Sequence, residues 1–200
     1  MRLEAWKTYD GDSRSFFESY ESLSFTRMHR AFLPFLPKRG SSCLDVGAGS
    51  GRDAAALARR GFRVTAVEPS HGLRSLAESH HGNVVLRWVD DRLPKLSKVF
   101  ALGERYRFIL VSAVWMHIPP GDRIQSLRTL ARLLQARGYI ALTLRIGEPC
   151  QSRIMYPVSV AELLEIAEQV GLRSVYVSRK TRDSLNRDQV AWKKVVLTRK

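Results

Sequence analysis

Between Leu44 and Gly61 the chain reads LDVGAGSGRDAAALARRG, and Gly47, Gly49 and Gly51 stand on alternate residues where an apolar strand pattern gives way to a helical one. Glycine tolerates left-handed backbone angles and lets a ligand come up against main-chain N–H groups. This loop, with Ala48 inside it, therefore predicts a cofactor cradle at the mouth of a helix. A dinucleotide fingerprint spaces its glycines G-x-G-x-x-G and would need glycine at position 52. That position holds Arg52, which disfavours pyrophosphate. Carboxylates accompany the loop. Asp45, two residues before Gly47, can accept loop amides or orient a cationic ligand. Glu68, followed by Pro69, closes the next strand pattern, where both its oxygens can accept from the two hydroxyls of a ribose. Asp90 and Asp91 close a third strand, and Asp90 is the favoured ligand of that pair.

The elements that must position these groups follow from the hydrophobic pattern. Short β-rich runs occur at SCLDV, RVTAV, NVVLRWV, RFILVS, GYIALTL, RSVYVS and AWKKVVLT, and helical patterns fall at 52–60, 71–79, 121–136 and 159–170. Two further helices, at 13–22 and 24–36, precede the first strand. Strand and helix in alternation predict a three-layer α/β sandwich with a mainly parallel sheet. The polar stretch RKTRDSLNRDQ between the last two strands is too irregular for a crossover helix, so those strands should pair antiparallel. Ligands of open parallel sheets bind at the carboxyl ends of the strands, where the glycine loop and the acids all fall.

With these residues in view, the chain resembles the class I S-adenosylmethionine-dependent methyltransferases over roughly residues 42–200. LDVGAGSGRD matches the family's glycine motif, Glu68 its ribose-binding acid, Asp90 its adenine-contacting acid, and the terminal strand pair its reversed hairpin. The resemblance implies a seven-stranded sheet in the order 3-2-1-4-5-7-6 with the last strand antiparallel, and S-adenosylmethionine as cofactor. The length makes one domain over 1–200 the expectation, with 1–38 an N-terminal helical lid or cap segment. Arg52 then either neutralises the methionine carboxylate or faces solvent.

The fourth strand runs into VSAVWMHIPPGDR. Ser112 and Ala113 would line the cofactor, Trp115 the substrate chamber, and His117 could take a proton from an attacking oxygen or nitrogen. The competing reading of His117 is a packing or cap histidine before IPP. Tyr9, Phe16, Phe17 and Tyr20 either fold over the cofactor or pack on the sheet. Arg145 and Tyr156 leave strand five on the active face, where the guanidinium invites a carboxylate or phosphate. RKTRDSLNRDQ was expected to lie farther away. Strand four lacks the (N/D)-P-P-(Y/F/W) tetrapeptide that family members acting on exocyclic or amide nitrogens use. The favoured acceptor is accordingly a small polar or anionic metabolite. The alternatives are an RNA or protein methyltransferase, or a cofactor-binding protein that transfers no methyl, such as a sensor, cyclase or lyase.

Composition bounds the rest. The 200 residues are 44% hydrophobic, enough for one full core. No apolar run approaches the roughly 20 residues of a membrane span, and no signal peptide is evident, so a cytoplasmic protein and no membrane partner are expected. Cys43 and Cys150 suggest no disulfide framework. His80 and His81 adjoin without ligand spacing, so no metal is expected. Net charge is +14, and from Arg173 to Lys200 nine basic residues face two acidic ones. Charge of this kind reads as a solvated surface or, with nucleic acid as partner, as a polyanion groove. Nothing in the chain marks an oligomer interface.

Overall fold

The computed structural model describes residues 4–149, 152–185 and 187–200. Among the described residues eight strands form one sheet: β1 (Ser42–Val46), β2 (Arg63–Val67), β3 (Arg87–Val89), β4 (Tyr106–Val111), β5 (Leu134–Ile146), β6 (Leu172–Val177), β7 (Thr181–Arg182) and β8 (Ala191–Arg199). Their order is β3-β2-β1-β4-β5-β8-β6, with the two-residue β7 beside β8. β1 to β5 run parallel, and β8 lies antiparallel between β5 and β6. The predicted order holds once β7, which the sequence did not signal, is set aside. All five residues of β1 are buried, as a central parallel strand covered on both faces requires.

The helices are α1 (Lys7–Asp10), α2 (Ser13–Glu21), α3 (Phe25–His29), α4 (Arg52–Arg59), α5 (His71–His80), α6 (Ser97–Ala101), α7 (Pro120–Leu133) and α8 (Val160–Gln169). The helix expected over 24–36 ends at His29 and continues as a 3-10 turn, Arg30–Phe35, because Pro34 cannot donate to an α-helical ladder. The helix expected to reach 136 stops at Leu133. Leu134 already pairs with Tyr106 of β4, and the strand then kinks through Arg137 at φ +56° and Gly138, where a Cβ would meet the Arg107 carbonyl oxygen at 2.8 Å. Ser70 caps α5 by accepting from the Leu73 amide, and Ser159 caps α8 by accepting from Glu162.

One core cluster joins Leu127, Leu130, Leu163 and Ala167 to Val46, Ile109 and Leu142. A second joins Phe25, Phe32, Ala54 and Leu57 to Cys43, Phe108 and Ala141. Successive side chains of β1 and β4 thus enter opposite cores, and the carboxyl edge of the sheet is left for a ligand. Cys43 is a free, buried thiol pushed up to about 12 by burial. Cys150 lies outside the described residues. Among the described residues no helix is long and apolar enough to cross a membrane.

Candidate functional site

At the carboxyl ends of β1, β2, β4 and β5 lies a cavity of about 860 Å³, within the range of small-molecule sites. Its wall includes Asp45, Gly47, Ala48, Gly49, Arg52, Glu68, Pro69, Asp91, Ser112, Ala113 and His117, together with Tyr9, Tyr20, Arg145 and Tyr156. Nearly every residue singled out from the sequence meets there. Gly51, Asp90 and Trp115 do not, nor do Phe16 and Phe17. The Asp90 carboxylate is half exposed and pairs with Lys98 at 3.2 Å and Arg74 at 3.8 Å. Asp91 reaches the wall, but its oxygens accept from the amides of Arg92, Lys98 and Val99, which caps α6. Trp115 is fully buried in the core beneath the turn that carries His117.

The glycine loop is held by its own hydrogen bonds. Gly47 and Ala48 donate to the Val67 carbonyl at 2.8 and 2.9 Å, Gly51 donates to Ala48, and Gly49 donates to Glu68 Oε2 at 2.8 Å. The glycines are needed for shape: Gly51 has φ +80°, and a Cβ on it would meet Trp88 at 2.8 Å and His81 at 3.0 Å.

Glu68 is buried, and its second oxygen accepts from the Ser70 amide at 2.9 Å. Burial outweighs those two donors and pushes the carboxyl up to about 7. Asp45 is 1% exposed and its Oδ2 has no hydrogen-bond partner. Burial first, and then the neighbouring Asp53 carboxylate, raise it well above the usual range. Asp53 behaves oppositely. It is buried, but His29 Nε2 and Arg52 Nε each lie 2.7 Å from it and hold it well below the ordinary carboxylate value against the cost of burial. Arg52 also donates to the Tyr20 carbonyl at 3.0 Å, so its visible bonds position α2 against α4.

His117 sits in a 3-10 turn, Trp115–His117, after β4. Its Nδ1 lies 2.7 Å from the Ile154 carbonyl oxygen, which only accepts, so Nδ1 carries the proton and Nε2 keeps a lone pair. The Tyr9 hydroxyl donates to that Nε2 at 2.8 Å, and Arg153 approaches the same hydroxyl at 3.5 Å. Burial drives His117 down to about 4, and the cations Arg153 and Arg145 add to it against the Ile154 bond. Desolvation raises Tyr9 and Tyr20, so both phenols stay neutral. The segment after β5 is pinned by the Tyr156 amide on the Met116 carbonyl, and by Arg123, which reaches the Pro157 carbonyl and Glu162.

Sequence reasoning missed three parts of the wall. Arg153 and Ile154 carry no motif. Trp6, Arg27 and Met28 belong to the N-terminal segment, which Asp10 ties to Ser70 and Gly72. Residues 181–185 and Arg187, expected to lie farther off, turn back into the cavity with Arg182 and Asp183, joined by Lys194 of β8. Asp183 organises it by accepting from the Leu185 and Arg187 amides, the Arg187 guanidinium and the Trp192 indole.

Comparison with known proteins bears on what such a cavity holds. A family model described as a methyltransferase domain matches residues 19–177. A TehB-like S-adenosylmethionine-dependent methyltransferase from Corynebacterium glutamicum has a similar fold at 20% identity and TM-score 0.66, over 98% of each chain. A methyltransferase from Methanosarcina mazei matches at 14% identity and TM-score 0.68, over 84% of this chain and 96% of that one. An N-methyltransferase of Haemonchus contortus, solved with phosphomonomethylethanolamine and S-adenosylhomocysteine, matches at 15% identity and TM-score 0.72, over 99% of this chain and 60% of that one. At these identities the likenesses are of fold. Among curated proteins no sequence matches.

Proposed function

The chain belongs to the class I S-adenosylmethionine-dependent methyltransferase family, and from that premise we propose that it methylates a small anionic metabolite, with His117 as the proton acceptor. The observation that carries the reading is the chain of hydrogen bonds from Tyr9 through His117 to Ile154, set in a cavity whose wall also holds Arg145, Arg153, Arg182 and Lys194.

S-adenosylmethionine supplies an electrophilic methyl on a sulfonium. The residues present fit it. Asp45 offers a buried oxygen with no partner, suited to an ammonium group, and Glu68 offers a carboxylate at the end of β2 for sugar hydroxyls. Gly47 and Gly49 leave the adjoining part of the wall free of side chains, while Gly51 makes room for Trp88 and His81. Pro69 and the Asp91–Pro94 stretch wall the part nearest β3, and Ser112 and Ala113 the part nearest β4.

His117 Nε2 is unprotonated across the neutral range, so it can accept the proton of an attacking hydroxyl or amine, directly or by way of the Tyr9 hydroxyl that now occupies it. The cationic wall would hold the acceptor's anionic group. The N-terminal segment, contributing Tyr9 and Tyr20, would act as the lid that excludes water. The phosphate-bearing ligand of the Haemonchus contortus neighbour agrees with an anionic acceptor.

The test is incubation with methyl-labelled cofactor and, separately, a small-molecule extract, an RNA pool and a protein pool. The expected result is S-adenosylhomocysteine formed in step with label in acidic small molecules. Label confined to RNA or protein overturns the acceptor class, and release of methylthioadenosine overturns methyl transfer.

A further inference from the structure

We propose that Glu21, His80 and His81 form a binding site for one divalent transition-metal ion, of the zinc or nickel class, that fastens the end of helix α2 to the end of helix α5, beside the glycine loop. None of the three lies on the wall of the cavity, so this site is separate from the proposed chemistry.

The geometry is the first argument. One ligand atom from each residue lies within 4.8 Å of the others. His81 Nε2 is 3.3 Å from Glu21 Oε1 and His80 Nε2 is 3.7 Å from Glu21 Oε2. These separations are long for hydrogen bonds, which cluster at about 2.7–3.2 Å. They suit two donors on one tetrahedral ion, because bonds of about 2.0–2.1 Å place ligand atoms about 3.3 Å apart.

Orientation is the second. His81 is 3% exposed, and it is its Nε2, not the buried and unpartnered Nδ1, that faces Glu21. Its Nε2 also lies 3.1 Å from the Ser50 carbonyl, a contact that metal binding would replace. Ser50 Oγ donates to Glu21 Oε1 at 2.7 Å, the outer contact that steadies a metal-bound carboxylate. His80 packs edge-on against both Phe17 and His81, which holds the exposed member of the set in place. Two imidazoles and a carboxylate favour zinc, nickel or cobalt over magnesium or calcium.

The consequence follows from the elements joined. Glu21 ends α2, His80 ends α5, and Ser50 belongs to the glycine loop. Tyr20 lies 3.5 Å from where a Cβ on Gly49 would stand. An ion here would hold Tyr20 over the loop without touching the ligand.

Tag-free full-length protein is titrated with zinc, nickel and magnesium chlorides by calorimetry at pH 7.5. The expected result is one equivalent of zinc or nickel bound, a raised Tm, and no heat from magnesium. His80→Ala, whose side chain is 55% exposed, should keep the metal-free Tm and weaken zinc at least tenfold. His71→Ala, on the first turn of the same helix, should leave binding unchanged. No zinc binding up to 1 mM, or equal affinity in His80→Ala, overturns the proposal. Methyl transfer is not measured, so the outcome is independent of the acceptor.

Discussion

Replacing His117 with glutamine removes one titrating group from a buried position, and its acid sensitivity can be worked out in advance. Burial lowers the imidazole from 6.5 to about 4. The unfolded chain therefore takes up this proton below pH 6.5, while the folded chain resists until about pH 4. Stability from keeping His117 neutral is fully present above pH 6.5 and is lost as the pH falls towards 4. At about 1.36 kcal/mol per pKa unit the full effect is about 3 kcal/mol. By linkage about 2.5 kcal/mol of it is gone at pH 4.5. Other groups titrate over this range too, so the useful quantity is wild type minus variant. Urea unfolding at pH 7.5 and 4.5 should show that difference shrinking by about 2.5 kcal/mol. A difference constant to within about 0.5 kcal/mol would mean that His117 is solvated and ordinary. The assignment of a free Nε2 lone pair would then fall with it.

Two further outcomes follow from the site. Because burial holds Glu68 protonated up to about pH 7 and sugar hydroxyls donate best to its ionised form, affinity for S-adenosylhomocysteine should rise between pH 6 and 8 and then level off. By calorimetry, Glu68→Gln should flatten that profile and cost about 1–3 kcal/mol at pH 8. Gly51→Ala places a Cβ at φ +80° against Trp88 and His81, so thermal unfolding should report a loss of about 1–3 kcal/mol.

Much of the fold was legible because burial of parallel strands leaves continuous apolar runs. SCLDV, RVTAV and RFILVS fell where predicted, and Gly47, Gly49 and Glu68 reached one cavity because they follow strand ends. What escaped depended on contacts distant in sequence. The strand at NVVLRWV pairs over only Arg87–Val89, since the sheet edge offers a single partner. Asp90 and Asp91 are adjacent, and successive side chains leave a strand on opposite sides; a difference of one residue decides which reaches the wall, and sequence does not resolve it. The polar residues 181–185 looked remote because their return rests on Asp183 and on pairing with Trp192 across the hairpin. Arg153 and Ile154 gave no signal, because their place comes from buried Arg123 and from a backbone bond to Met116.

The inward-facing amides of the glycine loop also bear on what the site refuses. ATP and reduced nicotinamide dinucleotides share the adenosyl moiety and outnumber most ligands in a cell. A triphosphate or diphosphate entering beside Gly47, Ala48 and Gly49 would shed its hydration and find those three donors already committed to Val67 and Glu68. Selectivity among adenosine-bearing molecules would then come from withholding solvation from phosphate, a device that needs no side chain dedicated to exclusion.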